Sequence, residues 1–285
     1  TWDTAFIGLV GTQQLNTQAV GIAGRGGQNP MCLITANSTF INGNVSIGTV
    51  GCAMALGGFS AAGNSFNISS SSPNNGIDLY NGVPASACGT NCSPAANSHT
   101  GSVPVPLFDT TKLPAVPTTL GSCLGCKPNG STKCPSGSCT YTPGLYNSSI
   151  DCSSNGNCTL NRGDYYFSGT NGIIGPSNKN SGTIDGSAGV LIWLNGGNFD
   201  TGGGGPIILK PKTSSSGCTY TASEQTVIYA PNYTLKLQGT PANSDVDSSI
   251  VVGNLTTGGN PTFQINISTA ETCVFTNPGR IRLLQ

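Results

Sequence analysis

A short β-branched run, a corner of Asn and Gly, and a second β-branched run recur along this chain with changed letters. The phrase appears as Phe40-Ile41-Asn42-Gly43-Asn44-Val45-Ser46-Ile47 and as Ala62-Gly63-Asn64-Ser65-Phe66-Asn67-Ile68. It returns as Ile192-Trp193-Leu194-Asn195-Gly196-Gly197 and Ile250-Val251-Val252-Gly253-Asn254-Leu255. Strands of three to five residues joined by such corners, with little sign of helix between them, suit stacked rungs better than long hairpins. The expected fold is all-β, a right-handed parallel β-helix with disulfide-stapled loop excursions. Its inward positions are expected at Ile41, Val45, Ile47, Ile174, Ile192, Leu194, Ile208, Val227, Leu235, Val251 and Ile265.

The pattern divides the chain. Residues 1–31 read as an N-terminal strand segment and linker, with apolar Phe6, Ile7, Leu9 and Val10 ending in Arg25-Gly26-Gly27-Gln28-Asn29-Pro30. Residues 32–285 read as the β-helix domain. It is interrupted at about 81–144 by a Pro- and Cys-rich excursion, where Val103-Pro104-Val105-Pro106 and Leu113-Pro114-Ala115-Val116-Pro117 favour extended backbone without ladder donors. Because it carries unpaired apolar residues, Phe6 to Val10 is also the candidate inter-subunit strand.

Charged residues make up only 8% of the chain and balance to a net charge of +0. That neutrality supplies no electrostatic footprint for nucleic acid or an anionic membrane. Recurrent Ile, Val and Leu clusters supply the apolar surface that a disordered polar chain lacks. No apolar segment approaches the ~20 residues of a membrane-spanning helix.

Twelve cysteines without zinc-finger spacing point to an oxidising compartment, so an extracellular or cell-surface location is expected. Since Thr1 is not an initiator Met, the chain is expected to begin after a removed signal or an anchor. Close neighbours can meet across one corner, which pairs Cys32 with Cys52, Cys88 with Cys92, and Cys152 with Cys158. Cys218 with Cys273 is what remains. Cys123, Cys126, Cys134 and Cys139 are expected to pair among themselves, in an order left open. Their spacing has the outline of a four-thiolate zinc site, but the recurring local pairs favour structural disulfides, and no metal or other cofactor is expected.

Several phrases together resemble the secreted region of TadG-like proteins from tight-adherence (Flp) pilus loci. They are Cys32-Leu33-Ile34, the run Phe40 to Ile47, and Gly51-Cys52-Ala53. Next come the proline run Pro104 to Pro117, Pro143-Gly144-Leu145-Tyr146 and Leu160-Asn161-Arg162-Gly163-Asp164-Tyr165-Tyr166. Gly189 to Gly197 and Val227 to Leu235 complete the order. The resemblance covers most of the chain and implies an envelope or extracellular role linked to pilus machinery. Some members also carry a von Willebrand A-type domain with an Asp-x-Ser-x-Ser metal site, and this sequence contains no such motif.

Catalytic chemistry finds few candidates. Asp185, Asp200, Asp245 and Asp247 lie in or beside turn-like segments, where Asp serves the backbone amides around it. His99 is the single histidine, and the sequence shows no obvious orienting partner or nucleophile elbow for it. Gly202-Gly203-Gly204-Gly205 lacks the Lys of a phosphate loop and reads as a corner or flexible tip. Trp193 and one of Tyr165 and Tyr166 are candidates for an exposed sugar platform, although packing is the expected role of Trp193. Asn37, Asn44, Asn67, Asn147, Asn232, Asn254 and Asn266 head glycosylation sequons, which the bacterial resemblance makes less relevant.

The expectation is therefore a non-enzymatic structural or adhesive surface component, with no catalytic residues and with self-assembly into a filament as one form. A carbohydrate-binding or carbohydrate-cleaving β-helix is the alternative. Candidate partners are further copies of the chain, pilus or cell-envelope proteins and surface glycans.

Overall fold

The computed structural model describes residues 31–62, 65–71, 76–103, 115–127, 132–135, 137–154, 156–177, 182–212, 226–239 and 244–266. These residues form a parallel β-solenoid of about 8 turns, with 57% strand and no α-helix. One 13-stranded sheet and one 10-stranded sheet run its length. The larger sheet bends where register shifts fall between Thr35 and Ser38 and between Ala230 and Thr234. Long strands such as Met31–Ile41 and Thr226–Gly239 thereby serve two faces of each turn.

The order of strands is not the order of the chain. In the larger sheet Gly144–Tyr146 is followed by Gly163–Ser168, Val190–Asn195, Thr226–Gly239 and Ser249–Gly259. Met31–Ile41 comes next, and Ala53–Leu56, Ile77–Leu79 and Asn97–Ser98 follow it. The chain enters in the middle of the stack, winds out to one end, passes to the far end and winds back. The turn of Ser249–Asn266 then lies on the turn of Met31–Val50, through Ile34 beside Val251 and Ile47 beside Phe263.

Identical faces stack in columns because parallel pairing repeats the side-chain register from rung to rung. One inward column runs Tyr165, Ile192, Ile228, Ile250, Leu33, Met54 and Ile77. Another joins Tyr146, Phe167 and Leu194. On the smaller sheet Cys139, Cys158, Ile184 and Ile207 form one column, and Phe263, Ile47, Ile68 and Cys92 another. Buried hydroxyls inside the stack are partnered: Thr49 Oγ1 and Ser70 Oγ donate to the Cys52 carbonyl at 2.9 and 2.8 Å.

Of the eleven inward positions expected, three differ. Ile174 is 38% exposed while Ile173 is buried, and Ile208 is half-buried while Ile207 and Leu209 are buried. Val251 is buried, but in a second cluster outside the solenoid core. In each case two or three apolar residues are consecutive, and the period of two lets only alternate ones point inward. Within the expected excursion, Cys92–Ser93, Asn97–Ser98 and Ser138–Tyr141 are rung strands, and Cys123–Leu124 pairs antiparallel with the last of them. The interruption is therefore narrower than 81–144. Residues 1–30, including Phe6, Ile7, Leu9 and Val10, lie outside the described residues, as do Cys218 and Cys273.

Among the described residues five cysteine pairs are bonded: Cys32–Cys52, Cys88–Cys92, Cys123–Cys126, Cys134–Cys139 and Cys152–Cys158. Their Cα separations run from 5.6 to 6.2 Å, within the range a disulfide spans. The open order within the Cys123 to Cys139 group thus resolves into two local bridges.

Candidate functional site

The side of the larger sheet that faces away from the core carries a stripe set by register. Between the inward columns, register places Leu145, Tyr166, Trp193, Tyr229, Val251, Ile34, Ala55, Asp78 and Asn97 side by side on successive turns. Its aromatic end is rigid. The Tyr166 and Trp193 rings meet edge to face with centroids 4.8 Å apart, and the Asn195 amide donates to Tyr166 Oη at 2.7 Å. Tyr165, one residue earlier, is fully buried in the core, so the two tyrosines take opposite faces as alternation requires.

Met31, Ile34, Ala55, Tyr80, Val103, Leu191, Tyr229 and Val251 form a second buried cluster on this side, and Trp193 packs half-buried against it. The sheet is therefore apolar on both faces. Continuous runs such as Val190-Leu191-Ile192-Trp193-Leu194 and Ser249-Ile250-Val251-Val252 are the sequence form of that burial.

The other end of the stripe is polar. His99 Nε2 lies 3.0 Å from Asp78 Oδ1, the Asn97 amide donates to the same oxygen at 3.0 Å, and the Tyr80 ring stacks on the imidazole at 4.6 Å. His99 thus has an orienting carboxylate, contrary to the sequence reading. Asp78 is 21 residues away in the chain but one turn away in space. Ser98, the adjacent hydroxyl, donates to the Val83 carbonyl at 2.6 Å and is not joined to the imidazole.

The carboxylates singled out earlier serve turns and rung-to-rung pairs. Asp185 accepts from the Ser187 amide and Asp200 from the Gly202 amide, each at 2.9 Å. Asp200 also meets Lys236 on the next turn at 3.2 Å, its register neighbour. Asp245 accepts from the Asn266 amide at 2.9 Å, and Asp247 faces Lys210 at 3.4 Å. Burial and the neighbouring Asp245 push the Asp247 carboxyl above its usual value, and Lys210 offsets this only in part. Asp151 behaves oppositely. Burial would raise it, but hydrogen bonds from Ser153 and the Lys133 ammonium outweigh that and hold it below the usual range. Asp164 and Lys212, which the sequence reading passed over, form a further pair at 2.7 Å.

Gly202 to Gly204 make a corner, with the Gly203 amide donating to the Pro176 carbonyl at 2.7 Å. Among the described residues, the metal-ligand types that cluster most closely are Cys123, Cys126 and Cys139.

Toward one end of the stack, residues 85–91 form two short 3₁₀ turns beside the Cys88–Cys92 bridge. At the other, Leu120 bridges to Leu145 while Cys123–Leu124 lies antiparallel on Thr140–Tyr141. No protein-family model, curated protein or solved structure matches the chain.

Proposed function

We propose that the chain is a non-enzymatic structural or adhesive component of the cell surface, working outside the cell beside pilus or envelope machinery. The observation that supports this most is how the acids are used. Asp78, Asp151, Asp164, Asp200 and Asp247 each face a cationic or imidazole side chain across the stack, which leaves them as struts between turns. Glycoside cleavage asks for two carboxylates flanking one bond, about 5–10 Å apart and free to trade protons. Five disulfides support the oxidising location. The pilus association rests on the sequence resemblance alone.

Incubation with a panel of surface polysaccharides is expected to release no reducing ends, while purified protein should adhere to envelope material. Release that Asp185→Asn or Asp200→Asn abolishes would overturn the proposal.

A second reading, carbohydrate binding, draws on the half-buried Trp193 beside Tyr166 and Asn195. An apolar ring face next to an amide is the usual chemistry of a sugar contact. A glycan array with wild type and Trp193→Ala separates the two: binding lost in the variant supports this second reading.

A further inference from the structure

At the end of the stack where the returning half of the chain begins, three sulfurs from two different disulfides are crowded together. The Sγ atoms of Cys123, Cys126 and Cys139 lie within 4.8 Å of one another. Cys123 bonds Cys126, whereas Cys139 bonds Cys134. Their exposure differs sharply. Cys32, Cys52, Cys134, Cys139, Cys152 and Cys158 are at most 1% exposed, and Cys88 and Cys92 are also buried. Cys123 and Cys126 are only half-buried, and Leu124 between them is 79% exposed, so this loop faces solvent.

The two outer sulfurs are not equivalent. Cys126 Sγ lies 3.3 Å from the Tyr141 hydroxyl, which donates to the Thr132 carbonyl at 2.8 Å, while Cys123 Sγ has the Leu124 carbonyl as its polar neighbour among the described residues. Burial and nearby Asp151 hold the Tyr141 phenol well above its usual value, so it remains a hydrogen-bond donor across the working pH range.

We propose that Cys123–Cys126 is a thiol-exchange site that accepts an external aliphatic thiol and passes its bond inward to Cys139. Exchange proceeds by thiolate attack along an accessible sulfur, and the outer bridge offers the accessible one. The incoming thiolate attacks Cys123 Sγ. A mixed disulfide forms there, the Cys123–Cys126 bond breaks, and Cys126 leaves as a thiolate. Cys126 then attacks Cys139 Sγ: the Cys126–Cys139 bond forms, the Cys134–Cys139 bond breaks, and Cys134 leaves as a thiolate that takes a proton from water. Two disulfides and one thiol exist before and after, so no oxidant or reductant is consumed. Proximity makes the second step intramolecular, which favours it over release to a second external thiol. The product carries a covalently attached thiol at the end of the solenoid and a free Cys134 within it.

The test uses the intact protein and reduced glutathione at neutral pH. Samples are quenched in acid, free thiols are trapped with N-ethylmaleimide, and peptides are mapped without reduction. Expected products are glutathione on Cys123, a Cys126–Cys139 link and maleimide on Cys134. Modification of Cys123 should run at least ~10-fold faster than of the eight buried cysteines among the described residues, given the contrast in access. A Cys134→Ser/Cys139→Ser variant should keep the first step and place maleimide on Cys126 instead. Maleimide on Cys126 in the wild type would overturn the inward transfer. First attack at Cys88–Cys92, or no adduct at all, would overturn the site.

Discussion

Two aspartates in similar sequence settings carry opposite electrostatic signs. Asp151 has its carboxyl lowered, so its ionised form stabilises the fold above the ordinary carboxylate value, and that contribution is lost as pH falls through it. Asp151→Asn is expected to cost about 1 kcal/mol at pH 7, with the difference from wild type fading below roughly pH 4. Asp247 is raised, so its favourable contribution exists at low pH and is lost as pH rises. Asp247→Asn should therefore be neutral or slightly stabilising at pH 7, within about 1 kcal/mol. Thermal unfolding of both variants at pH 3 and pH 7 checks the pair, and a large destabilisation from Asp247→Asn at pH 7 would contradict this account. The face assignments make a second contrast. Ile192→Ala empties a fully buried site and should cost about 2–5 kcal/mol, whereas Ile174→Ser on the exposed face should change stability by less than about 0.5 kcal/mol. Denaturant midpoints would settle which isoleucine fills the core. Alternation alone does not choose between Ile173 and Ile174, because both neighbours are equally apolar.

Among the elements, Gly144–Tyr146 and Gly163–Ser168, the first two strands of the returning half on the larger sheet, are each locked by a tyrosine. Tyr146 Oη donates to the Thr142 carbonyl at 2.6 Å, and Tyr165 Oη lies 2.8 Å from the Asn161 carbonyl. Each reaches four residues back to hold its own turn, and the two rings stack 5.9 Å apart. Tyr165→Phe keeps the ring but leaves buried carbonyls without that donor, a loss of about 1–2 kcal/mol measurable by chemical denaturation. A cost under about 0.3 kcal/mol would mean that the corner does not depend on it. The strand-and-corner grammar was legible because corner residues and β-branched runs are local signals. The Asp78–His99 pair was not, since partners one turn apart show no local pattern until the length of a turn is known. The stripe on the larger sheet was half legible: consecutive apolar runs announced two buried faces without saying which residue belonged to which.

For the whole molecule, similar rungs concealed the order of stacking. Nothing local in Met31–Ile41 says that its neighbours are Ala53–Leu56 on one side and Ser249–Gly259 on the other. The joint between them is tight at Gly43, where φ is +95° and an added Cβ would sit 2.0 Å from the Gly259 carbonyl oxygen. Gly43→Ala is thus expected to cost at least about 2 kcal/mol. Hydrogen exchange should show the loss first in Ser249–Gly259 and Thr262–Asn266, and uniform loss would place the damage elsewhere. If copies associate, the segment from Thr1 to Gly24 is the proposed contact, and its deletion should weaken self-association while leaving the turns from Cys32 onward folded. Equal assembly by the truncated chain, seen by electron microscopy, would assign that segment no role in it.

A stack whose first turn is completed by its last also imposes a timetable. As the polypeptide is made or threaded through a narrow passage, Met31–Ile41 emerges before Ser249–Gly259 and waits with one edge bare until that strand arrives. Such long-range pairing is slow and leaves an adhesive edge exposed meanwhile. A chain built this way gains by staying unfolded in transit and closing only after both halves have reached the same side.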